Sequence, residues 1–166
     1  MAHKSMEVFH NMLSIEMQPD AVAMVKILAA CSESGILQQD VCLHGYIIIS
    51  GFNNNIFVGA PLIELYSKCC SIDNATKVFE GIIHKDVIWS AMIAGYGIHG
   101  QGEFSFLIFD QMVKIAIVIP NNVTFPSILS ACSHVGLVEE GIKIFNMMSH
   151  EYQGLSRNIM GFGRTG

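Results

Sequence analysis

The stretch ILAACSESGIL at residues 27–37 recurs as ILSACSHVGLV at residues 128–138, with six of eleven positions identical and an offset of 101. Self-similarity at a fixed spacing is the mark of a repeat array, in which one unit cannot bury its apolar face alone and neighbours must stack. The offset divides further. The triplets QPD, NNN, HKD and IPN end at Asp20, Asn55, Asp86 and Asn121, in steps of 35, 31 and 35 that sum to 101. These ends delimit a partial unit at 1–20, units at 21–55, 56–86 and 87–121, a further unit at 122–153, and a degenerate tail at 154–166 that is expected to be poorly ordered.

Each complete unit reads as two helices. An apolar segment runs to a small or turn residue (Gly35, Cys70, Gly100 or Gly136), and a second apolar segment follows. Ala75, Val78, Phe79 and Ile82 are spaced i, i+3, i+4, i+7, and Ser105, Ile108, Phe109 and Met112 repeat that spacing, which is the signature of an amphipathic helix. Phe9, His44, Phe79, Phe109 and Phe145 fall in one register. Glycine between the halves suits the left-handed turn that closes a helix. The pattern predicts an all-α fold, an α-solenoid of stacked helix-turn-helix units.

Two stretches without a charged side chain, 41–63 and 115–138, are long enough to cross a bilayer. Asn53-Asn54-Asn55 and Pro61 interrupt the first, and Pro120-Asn121-Asn122 and Pro126 the second. Such turn signals break each stretch in two, so no membrane partner is expected. The net charge of −5 lacks the basic excess that would signal nucleic acid at once, although charge can be unevenly placed. The N-terminal MAHKSMEVFHNML has neither the apolar run of a signal peptide nor the Arg/Ser bias of a transit peptide. It reads as the middle of an amphipathic helix, so the chain either stays in the cytosol or lacks its true N-terminus.

The five cysteines form no C-x-x-C and have no zinc spacing. They are read as reduced thiols, with Cys31 and Cys132 as small packing residues. Neither the H-x-E with P-C-x-x-C pattern of zinc deaminases nor a phosphate-binding loop occurs. The glycines of GYGIHGQG fall at a helix–helix turn. No catalytic residue, metal or cofactor is expected, and the chain is not expected to be an enzyme.

The segments LIELYSKCCSIDNATKVFEGIIHKDVIWSAMIAGYGIHGQGEFSFLIFDQMV and NNVTFPSILSACSHVGLVEEGIKIFNMM closely resemble plant pentatricopeptide repeat proteins. The alternation of long and short units resembles the PLS subclass. The resemblance covers residues 1 to about 152 and implies a right-handed superhelix that recognises single-stranded RNA, one base per repeat. In this family the fifth and last residues of a repeat specify the base, and an apolar second residue packs against it. Carried over, the specifying pairs are Ser90 with Asn121, Val25 with Asn55, and Ala60 with Asp86. The packing residues are Val22, Phe57, Ile88 and Val123. Ser90 with Asn121 resembles the adenine-reading combination. Val25 and Ala60 are not polar, so weak or no direct reading is expected there, and Pro126 takes the fifth place of the unit at 122.

Some positions depart from the family pattern. The third unit has one residue fewer before Trp89 and one more in KIAIVIP. Cys70 stands where glycine is usual, and Pro61 replaces a small residue in what is read as a first helical turn, where proline is tolerated. The resemblance implies a role in organellar RNA editing or processing, in mitochondrion or chloroplast, on an organellar transcript and with editing or processing proteins supplied in trans. The alternatives are a helical-repeat protein-interaction scaffold and a non-functional fragment of a larger repeat protein. Salt separates the first two readings: RNA binding is expected to weaken steeply as salt rises, and binding in an apolar groove is not.

Overall fold

The computed structural model describes residues 2–33, 37–83, 85, 88–114 and 118–161. Within them lie nine α-helices and no strand: α1 (Ala2–Ser14), α2 (Ala21–Ser32), α3 (Leu37–Ile49), α4 (Ile56–Lys68), α5 (Ile72–Gly81), α6 (Trp89–Ile98), α7 (Gly102–Lys114), α8 (Thr124–Val135) and α9 (Val138–Gly161). Even-numbered helices open the units and odd-numbered helices close them. The helix α9 continues to Gly161 without a break at 154.

The front helices pack in series, α2 on α4, α4 on α6 and α6 on α8. Each back helix packs on the front helices beside it, and among the described residues no back helix packs comparably on another. A layer whose members touch is shorter than a layer whose members do not, so the front helices form the inner, concave side. The two layers enclose one continuous apolar core, with Met24, Leu28, Tyr66, Met92, Ile93 and Ile128 essentially sealed from solvent.

The repeat punctuation has one physical form. Glu16, Gly51, Cys70, Gly100 and Gly136 all take positive φ, between 55° and 76°. The residue after each donates its N–H to the carbonyl five positions back: Met17 to Met12, Phe52 to Ile47, Ser71 to Tyr66, Gln101 to Tyr96, and Leu137 to Cys132, all at 2.9 Å. This is the Schellman closure, which satisfies carbonyls that a helix end leaves bare. Cys70 adopts the same turn at φ 55°, although a side chain makes that conformation less favourable than glycine does. The short unit is short because α5 has 10 residues where α3 and α7 have 13. It ends on Ile82 in extended conformation instead of a left-handed turn.

Four of the five in-register positions share a task, a ring contact with the following unit. Phe9 meets Tyr46 edge-on, with ring centroids 5.2 Å apart. Phe79 meets Trp89 at 5.1 Å, and Phe109 meets Phe125 at 6.5 Å. His44 fills the same place, edge-on to Tyr66 at 5.5 Å, and its Nδ1 lies 2.7 Å from the Tyr66 hydroxyl. Burial holds the His44 pKa below its ordinary value. The sign follows: the unfolded chain takes up the proton first, below about pH 6.5, so this histidine removes stability as pH falls through that value and leaves it intact above. We expect His44→Phe to flatten that dependence, read as a smaller difference in urea midpoint between about pH 7.5 and pH 5.5 than in the wild type. An unchanged difference would show that His44 titrates alike in both states.

Pro61 is the sixth residue of α4, one turn later than its sequence context suggested. It therefore cannot supply the N–H that the Phe57 carbonyl would take in an unbroken ladder.

Candidate functional site

The starts of α2, α4 and α8 bring the last residue of the preceding unit beside the second residue of the unit that begins there. Asp20 Oδ1 accepts the Ala23 N–H at 2.7 Å. Asn55 Oδ1 accepts from Phe57 and Val58 at 3.0 and 3.4 Å. Asn121 Oδ1 accepts from Val123 and Thr124 at 2.8 and 3.1 Å. All three cap orphan N–H groups, as Asp and Asn do at helix starts. The cap turns each side chain onto the helix end and leaves the Asn Nδ2 protons available. Asp86 lies outside the described residues.

The second residues divide. Val22, Phe57 and Val123 are 62%, 67% and 57% exposed, apolar side chains at one repeat position held open to solvent. Ile88 is 0% exposed, so it cannot pack against a base. The reason is the residue missing before Trp89. Here α6 begins at Trp89, with Ile88 as its cap residue donating its own N–H to Lys85. Ile88 thus stands two places before Ser90, where the buried Val58 and Thr124 stand before Ala60 and Pro126, and it points into the stack, close to Gly59 and Ile82.

Of the fifth residues, Val25, Ala60 and Ser90 are half-buried and Pro126 is exposed. Ala60, Ser90 and Val123 line one groove of about 380 Å³ across α4, α6 and α8, with Lys68 at its edge. Ser90 Oγ lies 2.9 Å from Thr124 Oγ1, and Thr124 Oγ1 lies 3.2 Å from Asn121 Oδ1. The pair read from sequence is thus joined through a third side chain, Thr124, which belongs to the next unit and is fully buried. Sequence reasoning missed it. The available signal was a threonine within the first turn of a helix whose N–H groups need acceptors.

Charge is partitioned between the layers. Of fourteen acidic residues, Glu64 alone stands on a front helix, and it pairs with Lys68 at 2.7 Å. The front helices otherwise carry Lys26 and no other Lys or Arg. The front helices thus sum to +1 and the back helices and connections to −6, so the inner layer is close to neutral. Among the described residues no three His, Cys, Asp or Glu side chains gather as a metal site, and no helix is long and apolar enough to cross a membrane.

Comparison with known proteins places this geometry. The PPR repeat family model matches residues 87–117 and 123–151. Pentatricopeptide repeat-containing protein ELI1, chloroplastic, from Arabidopsis thaliana is 40% identical over 147 residues, covering 88% of this chain and 23% of that protein. A second Arabidopsis thaliana pentatricopeptide repeat-containing protein, At4g30700, is 40% identical over 149 residues, covering 89% of this chain and 19% of its own length. The chain thus spans about a fifth of the curated relatives it matches. The crystal structure of the pentatricopeptide repeat protein PPR10 in complex with an 18-nt psaJ RNA element superimposes with a TM-score of 0.72 at 18% identity, over 86% of this chain and 22% of that one. The crystal structure of PPR10 from maize gives 0.65 at 20% identity, over 88% and 21%. Matched repeats, relatives aligned along nearly the whole chain and a shared solenoid lead to one conclusion: this chain carries pentatricopeptide repeats, stacked as a solenoid.

Proposed function

We propose that the chain binds single-stranded RNA along its concave face, one base per repeat, as part of an organellar editing or processing factor of the PLS subclass acting in mitochondrion or chloroplast. The observation that carries the reading is the row of exposed apolar residues Val22, Phe57 and Val123, each beside a capping Asp or Asn. An exposed apolar side chain gives a base a surface to pack on, and the neighbouring Asn amide or Asp carboxylate gives its edge a partner. Acidic charge kept off the front layer removes the main electrostatic obstacle to a phosphate backbone. The naming of relatives as chloroplastic and the RNA held by PPR10 support the same reading. The specifying pairs are Ser90 with Asn121, Val25 with Asn55, and Ala60 with Asp86, of which the first is polar at both ends.

The test is retention of a random single-stranded RNA pool by the purified chain, followed by sequencing. We expect enrichment of a short register with adenine opposite the unit at 87–121, lost on Ser90→Asn. Phe57→Ala should weaken retention by about 5- to 100-fold, the range for losing one stacked base. With two lysines on the front layer, log Kobs should fall against log salt with a slope no steeper than about −1.4, from roughly −0.7 per neutralised phosphate on single strands. That is shallower than RNA binding in general led us to expect from sequence. No enrichment from a folded chain, or a slope several times steeper, would refute this assignment of the groove. Retention of a peptide in place of RNA would favour the scaffold alternative.

A further inference from the structure

The hydrogen bonds around Thr124 have a direction, and the direction matters. Asn121 Oδ1 faces two backbone N–H groups, those of Val123 and Thr124. Two donors require an acceptor, so the amide cannot be turned the other way. Thr124 Oγ1 accepts the Asn121 N–H at 3.2 Å and lies 3.2 Å from Asn121 Oδ1. A hydroxyl has one proton. If that proton turned toward Ser90, lone pairs would oppose each other across the contact to Asn121. It therefore goes to Asn121 Oδ1, and Ser90 must donate its own proton into the 2.9 Å contact with Thr124. Thr124 is fully buried, so water does not compete for either bond. What remains for a ligand is a lone pair on Ser90 and the N–H protons of Asn121 Nδ2.

From this we infer that Thr124 is a positioning residue, which fixes the hydrogen-bond sense of the Ser90/Asn121 pair and thereby makes it selective between amino bases and keto bases. The inference rests on the RNA reading above and deepens it. Adenine and cytosine present an exocyclic N–H donor beside a ring nitrogen acceptor. Guanine and uracil present an exocyclic oxygen acceptor beside a ring N–H. A pair with one fixed acceptor and one fixed donor suits a single one of these two senses, whereas a serine free to turn suits both.

Pool selection with Thr124→Val and Thr124→Ser tests this. The wild-type chain should favour one class, amino over keto, at the position read by the unit at 87–121. Thr124→Val keeps the shape without the hydroxyl and should lower that ratio by about tenfold, a typical worth for a directed base contact, with retention of the rest of the register unchanged. Thr124→Ser should restore the ratio. An unchanged ratio in a folded Thr124→Val protein that still retains RNA overturns the Thr124 assignment alone. Absence of RNA retention by the wild-type chain overturns the RNA reading itself and the selection with it. If Thr124→Val does not fold, hydroxyl-proton exchange in the wild type decides: a Thr124 hydroxyl exchanging as fast as an exposed one overturns the fixed sense, and a slowly exchanging one supports it.

Discussion

Phe109→Ala is expected to lower the unfolding free energy by about 3–5 kcal/mol, the usual loss for a buried Phe reduced to Ala, and Phe145→Ala by less than half of that. The two residues occupy the same place in successive units. Phe109 is 3% exposed and leans on Phe125 of the next front helix at 6.5 Å. Phe145 is 54% exposed. A solenoid is stabilised within each unit and across each interface between neighbours, and Phe109 sits in one such interface. Against a total stability of about 5–15 kcal/mol for an ordinary domain, its loss would do more than shift a midpoint. The unit beyond α7 should uncouple and melt first, giving a two-step denaturation curve. Urea unfolding of the two variants followed by circular dichroism makes the comparison. Equal losses would mean that the register read from sequence does not report the interface.

Gly97→Ala should destabilise by about 1–3 kcal/mol, the range for overpacking, although alanine in a helix interior is normally favoured over glycine by about 0.8–1 kcal/mol. A Cβ at Gly97 would stand 2.9 Å from Ala131 Cβ and 3.3 Å from Ala131 Cα. Neither atom can rotate away, so α6 and α8 would have to part. Gly95 differs, since its added Cβ would meet the Ser67 hydroxyl, which can turn aside. Gly81, at the end of α5, has nothing within 4 Å and is the control: Gly81→Ala should be neutral or mildly stabilising. Parting α6 from α8 would also stretch the Ser90–Thr124 contact, which bridges the same two helices. Base selection should therefore decline along with stability. A Gly97→Ala protein as stable as the wild type would show that the helices slide past each other easily, and would remove the close approach as a determinant of the groove.

The helix pairs and their order were legible in the sequence because they depend on local chemistry. An i, i+3, i+4, i+7 stripe makes a helix wherever a partner surface exists, and a glycine such as Gly100 or Gly136 closes it through φ that other residues avoid. Even Cys70, the departure from pattern, takes the turn its position demands. The capping role of Asn121 and Asn55 was likewise open to view as an ordinary preference at helix starts.

The site was legible only in part. Val22, Phe57 and Val123 stand open to solvent. Ile88 does not, because one missing residue before Trp89 rotated it into the stack, and no local pattern tells whether a shortened unit shifts its side chains or its neighbour. Thr124 was missed because its role depends on Ser90, 34 positions away. The neutral concave face was hidden behind a net charge that sums over both layers. What the sequence determined by itself was the repeating unit, since propensity, periodicity and turn chemistry act within a few residues. The tertiary structure decided which side chains meet across units, which are sealed and which face the groove. Those outcomes depend on the rotation and separation of stacked helices, and whole interfaces set them together.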